Sequence, residues 1–283
     1  MRIVITGAGG QLGRALSASL TDRHTIIPLT HQDCDVADVR AIDQIAGREP
    51  DLILHAAAMT HVDGAALDPD RAQRINGLGT RNVALAAQAQ DVPLVYVSTN
   101  EVFDGRACTP YDELAETRPV NAYGASKLAG ERYVQMLLRR YYIVRTAWVF
   151  GPGGNNFVSK ILSLARGGAP LRLVTDEIGA PTYAPDLADA IGRLIEWPVY
   201  GIFHLTNQGV CSRYEYARRL LDAAGLADRP LEPIRLADFT RPSTPPPYTV
   251  LRNRCAADLG IELRPWQEAL DEYLAGAWPE LAG

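Results

Sequence analysis

The 283-residue chain is poor in sulfur and in clustered metal-ligand chemistry. Its four cysteines, Cys34, Cys108, Cys211 and Cys255, are widely spaced and form no CxxC pair. That pattern favours reduced thiols over a disulfide framework. The five histidines are scattered, with no HExxH or similar ligand spacing, so no metal site is expected. A basic excess is also missing. The formal net charge is -5, which argues against a nucleic-acid or anionic-membrane partner, although a local pocket can still be basic. No apolar run approaches a membrane span. Met1 leads straight into a strand-like run, Arg2–Thr6, with no charged and apolar leader before it, so a cytoplasmic protein without a signal peptide is expected.

What is present is alternation. Short apolar runs at Ile3–Thr6, Thr25–Leu29, Leu52–His55, Leu94–Ser98 and Ile143–Ala147 read as strands. Between them, helical patterns cover Leu12–Leu20, Val39–Ala46, Pro69–Gln88 and Ala122–Arg139. This order predicts an α/β fold with a doubly wound parallel sheet (Rossmann) that binds ligands at the carboxyl ends of its strands. After Gly151-Pro152-Gly153-Gly154 proline becomes denser, notably at Pro242 and Pro245-Pro246-Pro247. Helices remain readable at Phe157–Arg166, Pro185–Leu194 and Tyr214–Ala224. The expected organisation is a ligand-binding Rossmann domain over residues 1–150 and a smaller α/β substrate-binding lobe over 151–283. Part of that lobe, about 179–207, returns to the main sheet, with Gly201–Thr206 as the returning strand.

The first strand runs into Gly7-Ala8-Gly9-Gly10-Gln11-Leu12-Gly13, a GxxGxxG turn opening a helix. Gly7 permits the tight turn, Gly10 lets backbone approach a pyrophosphate, and Gly13 lets helix and strand pack closely. The helix N-terminus, with Gln11 and Leu12 in its first turn, offers free N–H groups to phosphate. No Asp or Glu stands at the tip of the second strand, Pro28-Leu29-Thr30-His31, where an acid would clamp the adenosine ribose. With His31 and Arg14 able to tolerate a 2′-phosphate, the reading is NADPH or NADH, leaning to NADPH. Asp35 and Val36 are candidates for adenine contact, or alternatively for a helix cap.

The second constellation is Asn121-Ala122-Tyr123-Gly124-Ala125-Ser126-Lys127. Tyr123 and Lys127 are four apart, so on a helix they share a face. A lysine cation beside the phenol would lower its pKa towards the operating pH, where general acid catalysis works best. Ser98 or Thr99, closing the fourth strand, could polarise a substrate carbonyl.

With these motifs in place the chain resembles the extended short-chain dehydrogenase/reductases, and within them the dTDP-4-dehydrorhamnose reductases. The matching stretches are Thr6–Gly13, His55–Asp63, Val97–Gly105, Asn121–Glu131, Arg145–Phe157 and Asp176–Asp186, with Arg241-Pro242 and Leu259–Trp266 near the end. The resemblance implies reduction of a nucleotide-linked 4-keto-6-deoxysugar in dTDP-rhamnose biosynthesis, by a monomer or homodimer. It implies a catalytic set of Thr99, Tyr123 and Lys127. It implies Ala56, Ala57 and Ala58 against the cofactor, and Trp148, Asn156 and Arg241 towards the substrate. Three positions depart from the family. Glu101 stands where a substrate-side tyrosine is usual and could accept hydrogen bonds from sugar hydroxyls. Ala15 cannot ligate the dimer-bridging magnesium of some members. Leu251-Arg252-Asn253 replaces a more usual Leu-Asp stretch. Two other readings stay open. One is an epimerase or dehydratase with bound NAD, using Glu101 as the added acid-base group. The other is a non-catalytic cofactor-binding regulatory subunit.

Overall fold

The computed structural model describes residues 1–167 and 170–282, with side chains through Gly276; residues 168, 169 and 283 of the C-terminal lobe lie outside the described residues. The chain order begins β1 (Arg2–Thr6), α1 (Gln11–Leu20), β2 (Thr25–Leu29), α2 (Ala41–Ala46), β3 (Leu52–His55), α3 (Val62–Leu67) and α4 (Pro69–Ala72). A π-helical turn, Gln73–Leu78, then joins α5 (Gly79–Ala89). There follow β4 (Leu94–Thr99), α6 (Ala122–Leu137), β5 (Tyr141–Thr146), β6 (Val149–Phe150), α7 (Phe157–Arg166), β7 (Leu171–Val174), β8 (Ile178–Gly179), β9 (Thr182–Tyr183) and α8 (Ala184–Leu194). The remainder is β10 (Gly201–His204), β11 (Cys211–Ser212), α9 (Arg213–Ala223), β12 (Leu231–Ile234), α10 (Arg254–Ala257) and α11 (Trp266–Ala282).

Six strands form one sheet in the order β10-β5-β4-β3-β1-β2, every pair parallel. Strands buried on both faces need near-continuous apolar runs, and β1, β3, β4 and β5 supply them. Pro28 interrupts the apolar run of β2 without harm because β2 lies at the sheet edge, where a missing N–H leaves no ladder bond unmade. One hydrophobic cluster joins α1 and α8 beneath the sheet, and another joins α2, α5 and α6 above it. Strand order reverses between β1 and β3, so the crevice at their carboxyl ends is where a doubly wound sheet takes its ligand.

The remaining strands pair in twos: β11 with β8, β12 with β7, and β6 with β9. They gather around a third cluster of α7, α9 and α11, whose rings Phe150, Tyr183, Tyr216 and Tyr273 pack edge and face. The segment read as one helix over Pro69–Gln88 is interrupted by the π turn, and α3 was not expected at all.

Helix α6 approaches the sheet closely at Gly130. A Cβ there would fall on the Tyr96 hydroxyl and 2.9 Å from the Asn76 carbonyl oxygen. Tyr96 is fully buried and its hydroxyl donates to the Lys127 carbonyl at 3.1 Å, so it has no room to retreat. Gly130→Ala is therefore expected to lower unfolding stability by about 1–3 kcal/mol, the usual cost of overpacking. Urea unfolding of Gly130→Ala, Tyr96→Phe and the double variant checks this. The double variant should regain part of the loss, because removing the hydroxyl opens the space.

Candidate active site

The dinucleotide turn is built by backbone proximity. Gly7 has φ +75, and a Cβ on it would sit 2.5 Å from the Ala57 nitrogen and 2.6 Å from its Cα. No other residue type lets β1 run into this turn against the segment that follows β3. A Cβ on Gly13 would strike the Gly7 carbonyl and lie 2.7 Å from the Ala8 Cα. Gly10 differs, since its nearest neighbour would be the Gly7 oxygen at 3.2 Å. Its missing side chain is required by whatever approaches from outside. No side chain caps α1 at Gly10, so the N–H groups of the first turn are left to an anion. Ala56, Ala57 and Ala58 are half-buried and line the same crevice. These residues fit a bound dinucleotide.

The opposite wall is the N-terminus of α6. Asn121 caps it, its side-chain oxygen accepting from the Gly124 N–H at 2.8 Å. Gly124 is required there, since a Cβ would overlap the Glu101 carbonyl. The helix presents Tyr123 and Lys127 one turn apart. Of the two candidate hydroxyls on β4, Ser98 donates to the Glu131 carboxylate at 2.5 Å, while the Thr99 hydroxyl donates to Asn100 Oδ1 at 3.2 Å and lies close enough to the Tyr123 phenol to lower its pKa. The chain thus brings Thr99 and Tyr123 together and turns Ser98 away.

The electrostatics differ from the expectation that Lys127 would acidify Tyr123. Burial, then the charge of Glu101, push the Tyr123 phenol above its ordinary value, against the Thr99 hydrogen bond. Lys127 is itself buried, which lowers its pKa to about 7 against the pull of Glu131. Its Nζ lies 4.2 Å from the centre of the Tyr96 ring, a cation–π contact. Lys127 is not among the groups acting on the Tyr123 phenol, so the phenolate lacks the stabilisation that the sequence spacing suggested. Glu131 also forms a bidentate pair with Arg145, at 2.9 and 2.7 Å, almost wholly buried. Removing one partner of such a pair typically costs about 3–5 kcal/mol.

Three of the four substrate-side candidates converge. Glu101 lies beside Tyr123 and feels Glu177, Arg213 and Arg241. Its Oε2 accepts from Asn121 at 2.6 Å. Arg241 pairs with Asp63 at 2.8 Å. Trp148 is held at φ +46, with Gly179 against its ring and the Arg213 guanidinium stacked 3.5 Å from its centre. Asn156 goes elsewhere. It caps α7 in a capping box, and its amide donates to Gln11 Oε1 at 2.9 Å and to the carbonyls of Gly151 and Gly154. Its donors and acceptor are thus used in tying the 151–156 loop to the dinucleotide turn.

The Arg14 and His31 expectation also changes. The Arg14 guanidinium donates to the carbonyls of Gly9 and Gly153, and His31 is 84% exposed. Asp35 accepts from the Ala37 N–H at 3.0 Å, a turn-capping contact, and Val36 is buried with its carbonyl held by Asn82. Among the described residues no group of three or more His, Cys, Asp or Glu could hold a metal ion, and no helix is long and apolar enough to cross a membrane.

With this geometry in view, comparison with known proteins finds the RmlD substrate binding domain family matching residues 1–277. The chain belongs to that family. A dTDP-4-dehydrorhamnose reductase of Mycolicibacterium smegmatis is 40% identical, over 97% of this chain and 85% of its own. The spore coat polysaccharide biosynthesis protein SpsK of Bacillus subtilis is 38% identical, over 96% of both chains. A solved dTDP-4-dehydrorhamnose reductase from Bacillus anthracis, in complex with NADP, superposes with a TM-score of 0.93 at 36% identity, covering 97% of this chain and 99% of that one. Membership of the RmlD substrate binding domain family places the extended short-chain dehydrogenase/reductase resemblance on a nearly full-length match. Arg213 and Asn121 were not foreseen as site residues. Arg213 carried no signal, because its stacking on Trp148 joins positions 65 residues apart.

Glu101 gives this site a pH signature. Burial raises its carboxyl from 4.5 to about 6. The native chain therefore holds that proton more tightly than the unfolded chain. The resulting penalty is absent below the unfolded pKa and complete above the folded one. Glu101→Gln should match wild type in melting temperature near pH 4 and exceed it increasingly through the window from 4.5 to 6. Thermal unfolding across pH 4–8 checks it; an offset that does not change with pH would contradict the assignment.

Proposed function

We propose that the chain is an NAD(P)H-dependent reductase of a nucleotide-linked 4-keto-6-deoxysugar, similar to the dTDP-4-dehydrorhamnose reductases. The observation that carries this reading is that Thr99 and Tyr123 stand together at the carboxyl edge of the parallel sheet that also carries the glycine turn. The reduced nicotinamide supplies hydride to the sugar C4 when bound. Gly7, Gly10, Gln11, Leu12 and Gly13 hold the dinucleotide phosphates, with Ala56, Ala57 and Ala58 along its length and Asp35 and Val36 towards the adenine end. Residues 1–150 serve as this dinucleotide-binding part and 151–283 mainly as the substrate lobe.

Thr99 holds the keto oxygen by a hydrogen bond. Tyr123 donates its phenolic proton to that oxygen as negative charge develops there. A phenol whose pKa is raised by burial is fully protonated at neutral pH, which suits an acid. Lys127, with a pKa near 7 and one helical turn from Tyr123, would hold the nicotinamide ribose. Glu101, Trp148 and Arg241 receive the sugar nucleotide: Trp148 by stacking, Arg241 by charge, and Glu101 by accepting sugar hydroxyls.

Mixing the enzyme with a dTDP-4-keto-6-deoxyhexose and NADH or NADPH tests the proposal by loss of reduced-nicotinamide absorbance. Wild type should oxidise the cofactor. Tyr123→Phe should lower kcat by about 10²–10⁴-fold, the usual contribution of a positioned acid. No oxidation with either cofactor would remove the keto-sugar assignment.

A further inference from the structure

The second strand ends without an acid, yet folding brings one to its tip. The carboxylate of Asp33 turns back so that Oδ2 accepts from the Thr30 N–H at 2.9 Å and from the Thr30 hydroxyl at 2.6 Å. The turn is closed a second time by the Asp33 and Cys34 N–H groups donating to the Thr30 carbonyl, at 3.1 and 3.0 Å. Four hydrogen bonds therefore fix where this carboxylate stands.

Its place is the exit from the dinucleotide turn. Leu29 pairs with Thr6, and the Ala8 N–H donates to the Leu29 carbonyl at 3.1 Å. Thr30 then lies over Gly9, whose Cβ would be 3.7 Å from Thr30 Cγ2. In a doubly wound sheet the adenosine ribose crosses the end of the second strand at this point. Among the described residues, Oδ1 of Asp33 has no hydrogen-bond donor, which leaves an acceptor free beside that path.

The surrounding charges sharpen the argument. The Arg14 guanidinium is directed at the carbonyls of Gly9 and Gly153. Arg40 is paired with Asp38, and His31 is solvent-exposed beside Asp35. Arg48 is the weakest of the influences acting on Asp33, whose pKa is lowered first by the Thr30 hydrogen bonds, so the group is ionised at neutral pH. A 2′-phosphate adds about 1.5–2 negative charges at pH 7 and would meet the Asp33 carboxylate here, with Arg14 turned to backbone carbonyls and Arg48 acting on Asp33 only weakly. A 2′-hydroxyl can instead donate to Oδ1.

We propose that Asp33 sets cofactor choice by accepting the adenosine 2′-hydroxyl and repelling a 2′-phosphate, so that the enzyme selects NADH over NADPH. This rests on the dinucleotide-binding reading above and reverses the lean to NADPH drawn from the strand tip alone. The Bacillus anthracis relative is described in complex with NADP, so the discrimination is assigned to this chain's own turn.

Isothermal titration calorimetry of the full chain with NADH and with NADPH, in the absence of any sugar, tests it. Wild type should bind NADH at least about tenfold more tightly. Asp33→Asn keeps an oxygen for Thr30 and removes the charge. It should narrow the gap to about threefold or less, mainly by tighter NADPH binding. Equal or tighter NADPH binding by wild type, or an unchanged ratio in Asp33→Asn, would overturn the inference while leaving the reductase reading intact. Failure of both dinucleotides to bind would remove both.

Discussion

A buried chain of polar side chains sets the spacing between the glycine turn and the catalytic helix. At one end the Thr6 hydroxyl meets His55 Nδ1 at 2.7 Å, at the tips of β1 and β3. His55 Nε2 meets the Thr80 hydroxyl at 3.0 Å, and that hydroxyl donates to the Asn76 carbonyl at 2.6 Å. The Asn76 side chain then grips both the N–H and the carbonyl of Met59, at 2.8 and 3.1 Å. It also donates to Ser126 at 2.9 Å, and Ser126 donates to the Tyr123 carbonyl at 2.7 Å. Thr6, His55, Asn76, Thr80 and Ser126 are all within 1% of complete burial. Unpaired, such groups would each cost a substantial desolvation penalty; satisfied, they specify one arrangement of the elements they join. The π turn over Gln73–Leu78 places Asn76 at the centre of this chain.

The same burial explains the site's electrostatics. His55 is driven down to about 3 by desolvation and stays neutral, so it relays hydrogen bonds without adding charge beneath the crevice. Tyr123 is raised, Lys127 lowered and Glu101 raised, each with burial as the first cause. All three shifts favour the neutral form, which keeps the Tyr123 phenol protonated where negative charge develops on the sugar oxygen. The near-complete burial of Arg145 and Glu131 concentrates fixed charge one turn below, where it anchors α6 to β5.

The parallel sheet was legible because its strands carry continuous apolar runs and its helices a 3.6-residue period, both local properties. The glycine turn and the Tyr–Lys spacing were legible for the same reason. Short pairs such as β6 with β9 or β11 with β8 were not, since two residues hold no periodicity and their pairing is decided by distant chain. The cap that Asn156 makes and its grip on Gln11 were not legible, because they exist only once the 151–156 loop lies on α1. The turn that brings the Asp33 carboxylate back to Thr30 was not legible at the strand tip, because the acid comes from three residues away. The expected effect of Lys127 on Tyr123 failed because spacing places two groups on one helix face without saying how deeply each is buried.

The account depends on Asn76 coupling the dinucleotide crevice to the catalytic helix. The direct test is Asn76→Ala, with its native fold verified by near-ultraviolet circular dichroism. Dinucleotide affinity by calorimetry and kcat with the keto-sugar nucleotide would be measured in parallel. The account predicts that both fall together by about tenfold or more, because one side chain grips Met59 on the cofactor wall and Ser126 on the catalytic helix. A variant that loses only thermal stability, with affinity and kcat intact, would contradict it.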